Sequence, residues 1–399
     1  MQIIEKKMIE VTNNIFCARV IANNVRSDFF YNKPVDTSYN SYLVKGKKNA
    51  LIGVVHNDCC KEFFSILEDT IPVSDIDYLV MNCTGTEYSD SINEILNRNP
   101  NIQVVGTIPA IKNLKEITNV KFNEHITKNG DVLDLGGKTI EFMVAPCLPW
   151  QDTMITYVSE DKAVFSGRLF SSNYVSEDIF DTDYDGYKTA LEDYYKHIFL
   201  PYGGFVKKAL NLIKSKNTEF IITSNGAVIK NNIIQKINDY LKLAKTNDTA
   251  EVAVFCPKHY KNTLKIANVI ADTLKKCHIN VCIYDVCNIS ENTINAMNSA
   301  KAVIFGTPTI NKNAAKEIWH LLSELDAVNA KNKPYFVFGS YGWSGEGTEL
   351  VHRYLLQLRL KPFAKPVSTV FTPSETDIND ISEYTRRFAE SIENNWKEN

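Results

Sequence analysis

The sequence predicts an α/β protein in two parts: an αββα sandwich over residues 1–246, then a doubly wound parallel sheet over residues 250–399. Three observations predict it. Before Asn232, short strand-like apolar runs mix with amphipathic helical stretches in no fixed order. From Val252 onward, strand and helix alternate strictly. Between the two lies Asn232 to Asn247, a polar, Lys- and Asn-rich helix and linker. A length of 399 residues, with 44% hydrophobic and 23% charged, supplies material for two cores.

Taken in order, Ile15–Val20 and Tyr42–Val44 read as antiparallel strands. Ala50–Val55, Ile76–Met81 and Ile102–Thr107 read as further strands, separated by helices at Cys60–Asp69 and Ser91–Asn97. Pro109–Glu116 follows as a short helix. Gly136-Gly137 joins Val132–Leu135 to Thr139–Val144 as a hairpin. Thr153–Val158, Ala163–Ser166 and Phe220–Thr223 complete the first strand series, with helices at Tyr187–Phe199 and Phe205–Lys214. In the second part, strands at Val252–Phe255, Asn280–Val286, Ala302–Phe305 and Tyr335–Phe338 alternate with helices at Leu264–Lys276, Ile289–Ala296, Ala314–Ala327 and Thr348–Leu358. The tail from Ser374 reads as a charged terminal helix.

Charge and cysteine usage exclude several classes. The net charge of −3, with acids and bases interspersed, gives no basic footprint for nucleic acid. No apolar run reaches the ~18 residues of a membrane span. Met1 to Glu10 lacks the basic-then-apolar order of a signal peptide. The nine cysteines form no CxxC pair, and only Cys59 and Cys60 are adjacent. A reduced, cytoplasmic protein is the expectation.

The most informative stretch is Phe338-Gly339-Ser340-Tyr341-Gly342-Trp343-Ser344-Gly345-Glu346. An apolar strand leads into it and a helix follows. Glycines at the carboxyl end of a parallel strand let backbone N–H groups approach a flat ligand, and Tyr341 and Trp343 offer π-faces to stack on it. Two more loops fall at strand carboxyl ends: Cys256 to Thr263, and Gly306-Thr307-Pro308-Thr309-Ile310-Asn311.

Together these motifs resemble the flavodoxin domain of A-type flavoproteins, the flavodiiron family. The resemblance implies FMN as cofactor. It implies contacts to the ring from Thr307, Pro308, Thr309, Asn311, Ser340, Tyr341, Gly342, Trp343 and Gly345. It implies a phosphate loop ending in Asn262 and Thr263. That loop departs from the family pattern, because Lys261 stands where glycine is expected and Lys258 precedes it. If the site needs a positive φ, lysine is strained there. Two readings follow: the lysines neutralise the phosphate directly, or they are solvated and the grip is weaker.

Upstream, Thr37 to Val44, Gly130 to Gly137, and Tyr194-Tyr195 with Leu200-Pro201 are similar to landmarks of the family's metallo-β-lactamase-like domain. In the family that domain holds a diiron centre reducing dioxygen or nitric oxide. Carried onto this chain, the ligand positions read Cys83, Gly85, Glu87, Tyr88, Pro149, Arg168 and Asn225. Only Glu87 keeps a hard oxygen donor of the usual kind, and Arg168 puts a fixed positive charge at the bridging carboxylate's place. The expectation is a degenerate centre with no metal and no catalytic residue there. An Arg168–Glu87 ion pair would fill the space; a mononuclear site of Cys83, Glu87 and Tyr88 is the rival. Cys83 and Cys147 are further read as facing the vacated pocket, with a redox role open, and Cys17, Cys282 and Cys287 as small core residues.

The function these features imply is electron transfer through FMN without iron chemistry. Its partners would be a redox protein as electron donor and a second copy of the chain in a head-to-tail homodimer, as in the family. A non-catalytic scaffold or regulatory dimer is the alternative, and a gas reductase with an unorthodox metal site a third.

Overall fold

The computed structural model describes residues 1–25, 34–85, 89, 91–182, 184–244 and 251–397. It divides into two compact units, Met1–Lys245 and Thr246–Asn399.

In the first unit, β1 (Gln2–Thr12), β2 (Ile15–Val25), β3 (Val35–Val44), β4 (Ala50–Ile52), β5 (Tyr78–Val80), β6 (Gln103–Gly106) and β7 (Asn123–Ile126) form one sheet in that order. The first four are antiparallel and β4 to β7 are parallel. A second sheet has the order β12-β11-β10-β9-β8, from β8 (Val132–Asp134), β9 (Thr139–Val144), β10 (Met154–Val158), β11 (Ala163–Gly167) and β12 (Phe220–Thr223).

Alternation in the strands separates three apolar layers. On β2, Ala18, Val20 and Ala22 meet helices α1 (Cys60–Glu68), α2 (Ile92–Arg98) and α3 (Ile108–Thr118) through Phe63, Ile95, Ile111 and Leu114. Cys17 and Tyr42 turn the other way, into the space between the sheets, where Ile140, Phe142, Phe165 and Ile222 join them. The far face of the second sheet packs on α4 (Tyr184–Ile198), α5 (Gly203–Lys214) and α6 (Ile233–Leu243), with Tyr187, Tyr194, Tyr195 and Tyr240 buried. This is the αββα order that the sequence predicts.

The second unit is a parallel sheet in the order β14-β13-β15-β17-β18. Its members are β13 (Val252–Cys256), β14 (Val281–Asp285), β15 (Ala302–Ile310), β17 (Pro334–Tyr341) and β18 (Lys361–Pro362); the short β16 (Asn313–Ala314) pairs with β15 and β19 (Val367–Val370) with β17. Val252, Val254 and Cys256 face α7 (Lys261–Lys276) and α12 (Glu375–Lys397), where Ile266, Ile270 and Phe388 close the layer. Ala253, Phe255 and Val303 face α8 (Glu291–Ser299), α9 (Lys316–Ser323) and α11 (Glu346–Gln357) through Met297, Ile318 and Val351. The helix predicted over 314–327 ends at Ser323, and a separate short turn, α10 (Ala327–Ala330), begins at an Asp326 cap. Among the described residues, no helix is long and apolar enough to cross a membrane.

Two elements differ from the sequence expectation in a way that bears on the site. Gly306 to Ile310 continues β15 as strand, pairing Thr307 with Gly339 and Pro308 with Ser340 in the β17 register. Asn311 and Lys312, at φ 52° and 58°, then make a two-residue turn into β16.

Candidate functional site

The carboxyl ends of β13, β15 and β17 lie side by side, because these strands are parallel neighbours in register. The loop after β13 runs straight into α7, a helix of 16 residues whose first internal bond is from the Leu264 N–H to the Tyr260 carbonyl. The N–H groups of Lys261, Asn262 and Thr263 therefore have no intrahelical partner. Tyr260 supplies no side-chain cap. Together with the helix dipole they form an end suited to a phosphate. Lys261 opens the helix and is absent from the positive-φ residues, so the strain anticipated for a lysine there does not arise.

The predicted cofactor residues divide by burial. Thr307, fully buried, accepts the Ala315 N–H at 2.9 Å and donates to the Pro308 carbonyl. Thr263, also fully buried, and Ser340 share a hydroxyl hydrogen bond of 3.0 Å that ties the start of α7 to the end of β17. Thr309 accepts the Gly347 N–H at 3.1 Å and so holds the β15 end to the first turn of α11. Asn262 accepts from Thr372 at 3.3 Å. Tyr341 is half-buried against Gly345, where a Cβ would lie 3.1 Å from its ring. Gly342 faces the Phe371 ring, which leaves no room for a side chain. Trp343 is 96% exposed, and Lys258, Asn311 and Gly342 are also at the surface.

Sequence reasoning missed what braces the neighbouring loops. Asp285, at the end of β14, accepts the N–H groups of both Lys258 and Cys287 at 3.1 Å. Partial burial works against its charge, but those two bonds hold its carboxyl below the usual range. Cys282 and Cys287, expected in the core, are exposed, because β14 is the sheet edge and Cys287 lies beyond its end. Only the position of Cys287 just past a strand end signalled this.

In the sandwich unit, the positions of interest also gather at strand ends. The Asn82 amide donates to the Phe165 carbonyl at 3.2 Å, and the Met154 N–H donates to the Asn82 carbonyl at 2.8 Å. Ser224 N–H donates to Gly167, and the Asn225 amide donates to the Ser38 carbonyl at 2.8 Å. Gly85 abuts the Trp150 indole. Loops carrying Cys83, Pro149, Arg168 and Asn225 are thus tied into one rim, where Cys83, Arg168 and Asn225 are buried. Asp152 in the same rim is 1% exposed; burial raises its carboxyl pKa, and the Thr84 hydroxyl and N–H pull it only part of the way back. His56 accepts the Asp58 N–H, and His125 stacks edge-on against Tyr78. Among the described residues, no three His, Cys, Asp or Glu side chains are placed to hold a metal ion. Glu87 and Tyr88, and with them the Arg168–Glu87 pair, lie outside the described residues.

Comparison with known proteins accords with both halves. A family model described as ODP family beta lactamase matches residues 37–247, and the flavodoxin model matches residues 259–382. A flavo-diiron protein of Clostridium acetobutylicum is 35% identical over 398 residues, covering 96% of this chain and 99% of that protein. The chain belongs to the flavodiiron protein family. An anaerobic nitric oxide reductase flavorubredoxin of Escherichia coli is 30% identical over 372 residues, covering 90% of this flavodiiron chain and 76% of the relative. Rubredoxin oxygen:oxidoreductase of Desulfovibrio gigas shares the fold at a TM-score of 0.68 and 22% identity, over 97% of this chain and 99% of that one. The flavodiiron protein of Giardia intestinalis does so at 0.64 and 20%, over 97% and 98%.

Proposed function

We propose that this flavodiiron family member binds FMN in its second unit, carries electrons through it, and holds no iron pair in its first. The functional division follows residues 1–246 and 250–399. The observation that carries the flavin half is the convergence of three parallel strand ends on the open N-terminus of α7. Lys258, Lys261 and the first-turn N–H groups bind the phosphate. Tyr341, Trp343 and the backbone from Thr307 to Asn311 and Ser340 to Gly345 orient the ring. When bound, FMN supplies one- and two-electron transfer. The chain's own part is to hold it with one edge exposed, so that a redox protein reaches it as donor.

Support for the second half is the chemistry of the rim. A guanidinium at Arg168, an amide at Asn225 already donating to Ser38, and Pro149 offer no anionic donors to a pair of cations. The chain works as a cytoplasmic, head-to-tail homodimer in this reading. Retained gas reduction is the second reading, favoured by the nitric oxide reductase and oxygen oxidoreductase activities in the names of similar proteins.

One preparation tests both. The full chain is mixed with excess FMN, desalted, and assayed for flavin absorbance, iron by elemental analysis, and consumption of oxygen and nitric oxide. Flavin near one per chain with iron near background is expected. Iron near two per chain with gas consumption overturns the second half. A colourless protein overturns the first.

A further inference from the structure

Outside the residues assigned to FMN, one pair of reactive groups is set at the same edge of the parallel sheet. His259, on the loop after β13, places Nδ1 2.9 Å from the Cys287 sulfur, on the loop after β14. Both side chains are exposed. The arrangement is held from two sides. Asp285 fixes the backbone of both loops through the Lys258 and Cys287 N–H groups, and the imidazole packs against the Tyr260 ring with centroids 3.9 Å apart.

Partial burial, then the Asp285 carboxylate, keep the Cys287 thiol above its usual pKa, so at neutral pH it carries its proton. Such a thiol needs a base within hydrogen-bond reach to act as a nucleophile. In the tautomer with the hydrogen on Nε2, His259 Nδ1 is that base. Cys282 provides an internal contrast: it is exposed on β14, in contact with Tyr284 rather than a histidine.

We propose that Cys287 and His259 form a thiol–imidazole exchange pair that takes small-molecule disulfides as its substrate class. The Cys287 proton passes to Nδ1 as the sulfur attacks one sulfur of the disulfide. A mixed disulfide forms on Cys287, the reagent's S–S bond breaks, and its second sulfur leaves as a thiolate that recovers the proton from the imidazolium. Cys287 is oxidised, and half of the reagent is reduced to thiol. The attached group displaces the contact between Cys287 and His259 that spans the two loops. Exchange therefore reports on the loop bearing Lys258 and Lys261; this consequence alone rests on the FMN reading.

The test uses the full chain, desalted after FMN treatment, and 4,4′-dithiodipyridine, whose released thione is followed by absorbance. One fast equivalent per chain is expected. It should vanish in Cys287→Ser, persist in Cys282→Ser, and slow at least about tenfold in His259→Asn. The rate should rise with pH as the Cys287 thiol, held above its usual pKa, ionises; Asp285, Lys258, Tyr260 and Glu317 of α9 are the charged and titratable groups around it. A fast equivalent surviving in Cys287→Ser, or His259→Asn reacting at the wild-type rate with unchanged circular dichroism, overturns the pair. Loss of FMN binding would instead sink the flavin reading and leave these rates to decide the exchange chemistry.

Discussion

Two sets of strand ends in this molecule, one in a mixed sandwich and one in a parallel sheet, differ in how their polar groups are used. In the sandwich, the rim turns its hydrogen-bonding groups inward. Asn40 donates to the Thr223 and Gly226 carbonyls, Gly226 N–H donates to Ser38, and the Asn82 and Asn225 amides donate to Phe165 and Ser38. In the parallel sheet, the buried hydroxyls of Thr263, Thr307 and Ser340 are likewise engaged. The start of α7, however, has no side-chain cap, and Lys258, Lys261 and a 96%-exposed Trp343 face outward. A rim whose donors satisfy its own backbone has few left for a ligand; a helix end without a cap has several.

The contrast breaks most sharply at glycines. Gly339 has no room for a Cβ, which would meet the Thr307 carbonyl and lie 2.5 Å from Thr348 Cγ2. Gly339→Ala is expected to cost about 3 kcal/mol and to remove FMN retention with it. Gly226, at φ +79° and with Ser172 O 2.7 Å from a Cβ, should cost a similar amount as alanine. Its loss falls on the sandwich, so FMN should stay. Urea unfolding alongside flavin content separates the two, and equal flavin loss in both variants would defeat the comparison.

Next in size is Lys333, whose ammonium donates to the Met297 and Asn298 carbonyls at 2.9 and 2.8 Å and closes the end of α8. Burial lowers its pKa to about 8. The unfolded chain then binds the extra proton between about pH 8 and 10.4, so this group makes stability rise with pH across that window. Lys333→Met should cost about 2 kcal/mol at pH 7 by leaving two carbonyls unpaired, and should flatten that rise. Denaturant midpoints at pH 7, 8, 9 and 10 check both signs.

Much of this was legible from residue patterns. Strict βα alternation marked the parallel sheet, and the Gly-aromatic stretch marked its ligand edge. Two edge strands of the sandwich escaped. β1 and β7 expose many side chains, so their apolar alternation is broken by Glu5, Lys6 and Lys7 in one and by Asn123 and Glu124 in the other. The stretch from Gly306 to Ile310 looked like a loop because glycine and proline usually end a strand; here Gly306 makes room for the Phe338 ring and the strand continues. The bond between Thr263 and Ser340, 77 residues apart, follows from strand order and has no local signal.

A smaller effect probes the outward-facing edge. Lys258→Ala and Lys261→Ala should each weaken FMN about tenfold and reduce its dependence on salt. Fluorescence titration at two ionic strengths reads both. Unchanged affinity in the double variant would assign the phosphate to the α7 N–H groups alone.

The smallest expected effect belongs to the inward-facing rim. Asp152 is 1% exposed, and among the described residues neither of its carboxylate oxygens has a hydrogen bond of normal geometry. Burial raises its pKa in the folded chain. The unfolded chain therefore releases this proton first as pH rises past the ordinary carboxylate value, near 3.9. In that window the folded state binds more protons, so stability attributable to Asp152 falls with rising pH and levels off once the folded group has ionised. Carboxylates such as Glu251 and Asp285, held below their usual values, act in the opposite direction, so the wild-type curve alone does not isolate the residue. The difference between wild type and Asp152→Asn does. The amide carries no charge to bury, and the variant should be about 1 kcal/mol more stable at pH 7 and no more stable at pH 3.5. A variant less stable at pH 7 would mean that the carboxylate is held by charge in the working protein, and a cation in this rim would then have to be considered again.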